Sequence, residues 1–78
     1  MRYEALFGPN TKQFWLYDDE HNTFIDPPID VLEEVNEICW GGDEDDYDAA
    51  QARLEEIAAM EPDWLHDGNE YDADELDP

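Results

Sequence analysis

Negative charge is distributed very unevenly along this chain, and that distribution limits what the chain can fold into. Residues 1–17 carry one acid and two bases, whereas residues 18–78 carry 23 acids and one base, Arg53. The two segments sum to +1 and −22, which gives the net charge of −21 at pH 7. Repulsion on this scale opposes a compact state. Because 41% of the 78 residues are hydrophobic and 13% are aromatic, we nevertheless expect one small folded domain rather than a disordered chain.

The composition also excludes several classes of protein. Cys39 is the only cysteine, so no intramolecular disulfide can form. No apolar run approaches the roughly 18 residues of a transmembrane helix, and no long apolar region follows Met1 and Arg2 as in a signal peptide. Membrane surfaces and nucleic acids are anionic, so direct binding to either is unfavourable. We therefore expect a cytoplasmic protein that binds neither nucleic acid nor membrane.

The first quarter of the sequence predicts a small antiparallel sheet. Side chains alternate between two sides over residues 2–7 and 13–17, and Gly8-Pro9-Asn10 between them is a turn signal. A polar break at residues 18–22 precedes a short apolar run at residues 23–25. The pattern predicts a three-stranded meander, which needs a cover on one face.

Two amphipathic helices are predicted to provide that cover. The first is expected over residues 27–40, with Asp26 as its N-cap, Pro27 at its first position and Gly41-Gly42 after its end. The second is expected over residues 46–60, before Glu61-Pro62. The residues expected to face the core are Val31, Leu32, Val35, Ile38 and Cys39 in the first helix, and Tyr47, Ala50, Leu54, Ile57 and Ala58 in the second.

The sequence therefore predicts an α+β domain over residues 1–68. Residues 69–78 contain five acids and only two larger apolar side chains, Tyr71 and Leu76. We expect this C-terminal segment to be an acidic and mobile tail.

Carboxylates form a stripe on the outer side of the first predicted helix. Four of them recur at positions i, i+3, i+4 and i+7, which places them on one face with neighbouring Cβ atoms about 5–6 Å apart. Further acids in the linker and on the second helix are expected to extend this surface. The expected partner-binding residues are Asp30, Glu33, Glu34, Glu37, Asp43, Glu44, Asp45, Asp46, Asp48, Glu55 and Glu56.

Catalytic, metal and cofactor sites are not indicated. Cys39 lies on the apolar stripe of the first helix, as expected of a buried structural thiol, and His21 and His66 have no partner histidine at helical spacing. The acidic runs that begin at Asp43 and Asp67 do not fit the spacing of an EF-hand loop. We therefore expect a protein that is not an enzyme, with no cofactor and no catalytic residues.

The carboxylate stripe suggests imitation of a nucleic acid backbone. Duplex DNA carries about one negative charge per 1.7 Å of axis, and proteins bind it largely by releasing its counterions. An anionic lattice of comparable density would enter the basic cleft of a DNA- or RNA-binding protein and exclude the true ligand. The expected partner is therefore a basic nucleic-acid-binding protein or complex.

In size, acidity, aromatic core and acidic helix faces, the chain resembles the small DNA-mimic inhibitors of phages and mobile elements. That group includes anti-CRISPR and anti-restriction proteins. The resemblance covers the overall character of the chain, since no sequence motif defines the group. It implies an anti-CRISPR inhibitor that blocks target-DNA binding by a CRISPR surveillance complex, which holds DNA in a positively charged channel.

Two other interpretations remain open from the sequence. An acidic protein-interaction module without mimicry would depend on an apolar anchor such as Trp15 or Trp64. A small domain from a halophile would share the composition and would need molar salt to fold. The target and the oligomeric state are not specified by the sequence.

Overall fold

A four-stranded antiparallel sheet and two α-helices make up the fold, which the computed structural model describes over residues 3–78. The sheet order follows the chain, β1-β2-β3-β4. Arg2, which we placed at the start of the first strand, lies outside the described residues. The elements are β1 (Tyr3–Gly8), β2 (Gln13–Asp18), β3 (Thr23–Ile25), α1 (Ile29–Ile38), α2 (Glu44–Ala59), a short 3₁₀ helix (Asp63–His66) and β4 (Glu70–Asp72).

The hydrophobic core lies between one face of the sheet and the two helices. Strand pairing places Ala5 opposite Leu16 and Leu16 opposite Ile25, so their side chains share that face. Val35 of α1 and Leu54 of α2 pack into the same buried cluster. The predicted apolar sides of both helices are confirmed, because each of their ten residues is buried or packs against the core. The α+β class is therefore correct.

The predicted number of strands is wrong by one. Residues 70–72, which we assigned to a mobile tail, pair with β3, so that Tyr71 lies opposite Phe24. Tyr71 also packs edge-on against Trp15, with ring centroids 5.8 Å apart. This aromatic contact lies on the face away from the helices, and it holds a strand too short and acidic to be recognised from alternation alone.

Residues 73–78 continue from β4 across the face of the sheet opposite the helices. The backbone N–H of Ala73 donates to the carbonyl oxygen of Asn22, and the N–H groups of Asn10 and Thr11 donate to that of Pro78 at 2.7 and 2.9 Å. Asn22 and Asn10 lie in turns at opposite ends of β2. Trp15 on this face of the sheet is only 5% exposed.

Gly8 permits the close approach of that segment. A Cβ atom at this position would lie 2.7 Å from the carbonyl oxygen of Pro78 and 2.6 Å from Oγ1 of Thr11. Trp15, which the sequence suggested as an apolar anchor, lies buried on this face of the sheet.

Both helices are displaced slightly from their predicted bounds. α1 begins at Ile29, two residues late, because a residue that precedes proline disfavours helical geometry and Pro27 precedes Pro28. Asp26 is not the N-cap. It accepts a hydrogen bond from Nε2 of Gln13 at 2.8 Å instead. α1 ends at Ile38, before Trp40, and Gly42 with φ +74° provides the left-handed turn that leads to α2.

The acidic linker belongs partly to α2. This helix begins at Glu44, two residues earlier than predicted, and ends at Ala59. Glu44, Asp45 and Asp46 occupy its first turn, where negative charge interacts favourably with the helix dipole. No helix within residues 3–78 combines the length and apolar character that crossing a bilayer requires.

Candidate functional site

Seven of the eleven predicted binding residues are exposed carboxylates without a side-chain partner among residues 3–78. They lie on the outer side of α1, at the residue that precedes α2, and in the first turns of α2. No lysine or arginine occurs between the first and last of them, so nothing in this part of the chain offsets their charge. We call these seven residues the acidic surface: Asp30, Glu33, Glu37, Asp43, Glu44, Asp45 and Asp48.

Arg53 engages two of the remaining predicted residues. Its guanidinium donates from Nε to the carboxylate of Glu34 on α1, and from Nη1 to Oε1 of Glu56 at 2.6 Å. The hydrogen bond to Glu34 and the nearby negative charges raise the pKa of Arg53 above its ordinary value. This bridge joins α1 to α2, and it neutralises part of the stripe that we predicted to be fully available to a partner.

Glu55 does not point outward as predicted. Its side chain is half-buried, and Oε2 accepts a hydrogen bond from the backbone N–H of Ala5 at 3.1 Å. Ala5 lies on β1, which is an edge strand of the sheet. Helical spacing alone placed Glu55 beside Glu56, but a long side chain at the margin of the buried face can reach the neighbouring strand. Glu55 thus provides the acceptor for a backbone N–H of the edge strand β1, which is a structural role.

Replacing Glu55 by alanine should therefore affect stability rather than binding. We expect the free energy of unfolding to fall by about 1 kcal/mol, because the N–H of Ala5 loses its acceptor. Denaturation in urea measures this change, with Asp48→Ala as the control, since Asp48 is an exposed carboxylate of the same helix without a side-chain partner among residues 3–78. Equal stability of the two variants would contradict the structural role of Glu55.

The carboxylate of Asp46, in the first turn of α2, lies against the turn that follows α1. Asp46 is half-buried, and its carboxylate packs against the backbone of Gly41, where a Cβ atom would collide with Oδ2. This contact keeps a negative charge beside the turn that follows α1. Asp46 therefore shapes the acidic surface without belonging to its freely exposed part.

Trp40 is the functional candidate that sequence reasoning missed. It follows the end of α1 and its side chain is 89% exposed, more than that of any other large hydrophobic residue described. The sequence placed Trp40 at the last residue of the first predicted helix, outside the core-facing residues, and gave it no role. The Gly41-Gly42 pair was the available signal, since the left-handed turn at Gly42 redirects the chain just after Trp40.

The other candidate groups do not converge on a site. Among residues 3–78, no three His, Cys, Asp or Glu side chains are placed to hold a metal ion. Cys39 is half-buried and packs against the core, while Nδ1 of His21 lies 2.8 Å from Oδ2 of the buried Asp18. A shallow hollow of about 130 Å³ is lined by Tyr71, Asp72, Glu75 and Leu76, none of which belongs to the predicted binding residues.

The chain matches no protein-family model, no curated protein and no solved structure.

Proposed function

We propose that this protein inhibits a nucleic-acid-binding protein by occupying its basic cleft. The observation that supports this most directly is the acidic surface, seven exposed carboxylates without a partner among the described residues. Like charges held together by a fold destabilise it, so their retention suggests an external partner of opposite charge. Occupation of the cleft requires no chemical step.

The unpaired charges on α1 are spaced more widely than the phosphates of a single nucleic acid strand, although they follow one line as such a strand does. Asp30, Glu33 and Glu37 span seven residues of helix, or about 10.5 Å at a rise of about 1.5 Å per residue. That is one unpaired charge per roughly 5 Å, whereas one DNA strand carries a phosphate per about 3.4 Å of axis. The pairing of Glu34 with Arg53 lowers the density below that of the full stripe. The carboxylates of α2 widen the surface beyond one line.

The target that we favour is a CRISPR surveillance complex. Such complexes hold nucleic acid in a long positively charged channel through contacts to its backbone, which an acidic protein can compete for without reading a sequence. In this proposal the protein acts as an anti-CRISPR inhibitor in the cytoplasm of the infected cell.

One observation favours a second candidate, an acidic interaction module without mimicry. Trp40 is exposed in the way expected of an apolar anchor, whereas Trp15 is buried and Trp64 is half-buried, so neither of the anchors suggested by the sequence is freely available. Binding through such an anchor should survive about 0.5 M salt, whereas binding through the acidic surface alone should not.

The test is capture of partners from the native host at about 0.1 M salt, followed by challenge with competing duplex DNA. We expect the immobilised protein to retain a nucleic-acid-binding complex that the duplex releases, because both ligands displace counterions from the same basic residues. The purified complex should then lose binding to its own target DNA when the protein is added.

The outcomes separate the alternatives. Retention of a partner that neither DNA nor about 0.5 M salt releases would replace mimicry with the interaction module. If circular dichroism shows an unfolded chain at about 0.1 M salt and a folded one only in molar salt, the acidity is instead a halophilic adaptation.

A further inference from the structure

Trp40 is an aromatic residue whose ring is almost fully exposed. Its indole makes no ring contact with another aromatic residue among residues 3–78, and it lies outside the hydrophobic core. The other two tryptophans differ from it, since Trp15 is buried and Trp64 packs against the core. An indole left almost fully in water is a large apolar surface available to a partner, and tryptophan is enriched among the residues that dominate binding energy.

The surroundings of Trp40 are acidic and open. Its backbone N–H donates to the carbonyl oxygen of Glu37, one turn earlier on the chain, and the Glu37 side chain is exposed. After Trp40 come two glycines, and the space that a Cβ atom of Gly42 would occupy contains no other atom within 4 Å. The exposed Asp43 follows. Exposed carboxylates therefore lie three residues before and three residues after Trp40 along the chain, and the Asp46 carboxylate lies against Gly41 between them.

Charge restricts what can cover this ring. A second copy of the chain would bring another −21 against the same surface, and phosphate groups would be repelled in the same way. The chain itself provides no cation for the ring from its described residues, since Arg53 is held by Glu34 and Glu56 and Lys12 lies in the turn between β1 and β2. The complementary occupant is a cationic side chain of another protein.

We propose that Trp40, with Glu37 and Asp43, forms a site for an arginine side chain of the partner. Guanidinium is planar and weakly hydrated, so it stacks on an indole face while its N–H groups donate to carboxylates at the margin. Lysine provides a compact, strongly hydrated charge that cannot use the ring and the carboxylates equally well. This inference deepens the proposed function and rests on it only in requiring a basic protein as partner.

The site predicts a preference for arginine over lysine at equal charge. We expect octa-arginine to bind the whole chain about three- to tenfold more tightly than octa-lysine at about 0.1 M salt. The variant Trp40→Ala should lose this preference and retain its affinity for octa-lysine within about twofold, since its charge is unchanged. Calorimetric titration measures the four affinities, and quenching of tryptophan fluorescence by octa-arginine should disappear in the variant.

Met60→Ala is the matched control, because Met60 is also an exposed apolar residue at 66% exposure and lies at the end of the other helix. It should keep the arginine preference, and circular dichroism should show all three proteins folded. Equal affinity of the wild-type chain for both peptides, binding of neither peptide, or a preference that persists in Trp40→Ala would overturn the site.

The two proposals can fail separately. An arginine preference that depends on Trp40, together with host partners that do not bind nucleic acid, would retain the site and reject mimicry. Capture of a complex that duplex DNA releases, without any arginine preference, would support mimicry and reject the site.

Discussion

Replacing Asp30, Glu33 and Glu37 together by lysine is expected to reduce binding to the nucleic-acid-binding target by at least about a hundredfold. These three carboxylates lie along the outer side of α1 and have no partner among residues 3–78. Reversal removes three attractions to the basic cleft and introduces three repulsions, and like-charge contacts in an interface cost several kcal/mol. The affinity of the captured complex, measured by calorimetric titration at about 0.1 M salt, reports the effect.

A control variant with three lysine substitutions elsewhere distinguishes the effect of local charge on binding from the effect of total charge. Asp67, Glu75 and Asp77 are also exposed, and they lie outside the acidic surface. Their replacement by lysine raises the net charge by the same six units, so the two triples should respond equally if only long-range attraction matters. We expect the control triple to weaken binding by less than about tenfold, mainly through slower association. Equal losses in the two variants would contradict a role for α1 as the contact surface.

Local patterns were sufficient to predict the helices and their buried sides. Apolar residues at helical spacing identified Val35 and Leu54 as core residues, because an amphipathic helix has one way to bury its stripe against a sheet. The errors at the helix ends have local causes. The Pro27-Pro28 pair shifts the start of α1 to Ile29. The acids just before residue 46 form part of the first turn of α2, so that helix begins earlier than predicted.

The parts that could not be predicted depend on contacts distant in sequence. β4 is short and acidic, and it is recognisable only through its partners, Phe24 across the strand pair and Trp15 across the sheet. Glu55 and Glu56 are adjacent in an acidic helix, yet one meets the backbone of Ala5 and the other meets Arg53. Sequence periodicity assigns a face, but it does not show which edge strand or cation lies near the margin of that face.

Trp40 is another residue whose environment the sequence pattern does not reveal, because its ring is exposed. An aromatic residue at the end of an apolar stripe is ordinarily assigned to the core, because burial of its ring is favourable. Here α1 ends at Ile38, and the chain turns at Gly42 before the ring can reach the sheet. The exposed ring therefore follows the unpaired carboxylates of α1 along the chain, at a helix end that composition does not reveal.

Leu54→Ala is expected to lower the free energy of unfolding by about 3 kcal/mol or more. The Leu54 side chain is fully buried in the cluster that joins α2 to the sheet, and truncation removes apolar contacts and leaves a cavity. Small domains are stable by only about 5–15 kcal/mol, so this change is a large fraction of the total. Urea denaturation followed by circular dichroism measures it, and Met60→Ala, at an exposed site, should remain within about 0.5 kcal/mol of the parent.

Salt should affect the stability of the fold, because it screens the repulsion among the carboxylates that the core has to outweigh. Raising sodium chloride from about 0.1 to 0.5 M shortens the screening length, so it should weaken repulsion among the carboxylates and raise the urea midpoint of both the parent and Leu54→Ala. A gain of similar size in the two proteins is expected, since the mutation changes packing and leaves the charges in place. A midpoint that falls with salt would contradict the self-repulsion on which the argument for an external basic partner depends. A parent chain that is already folded at low salt would show that its core outweighs this repulsion and that the chain does not need molar salt to fold.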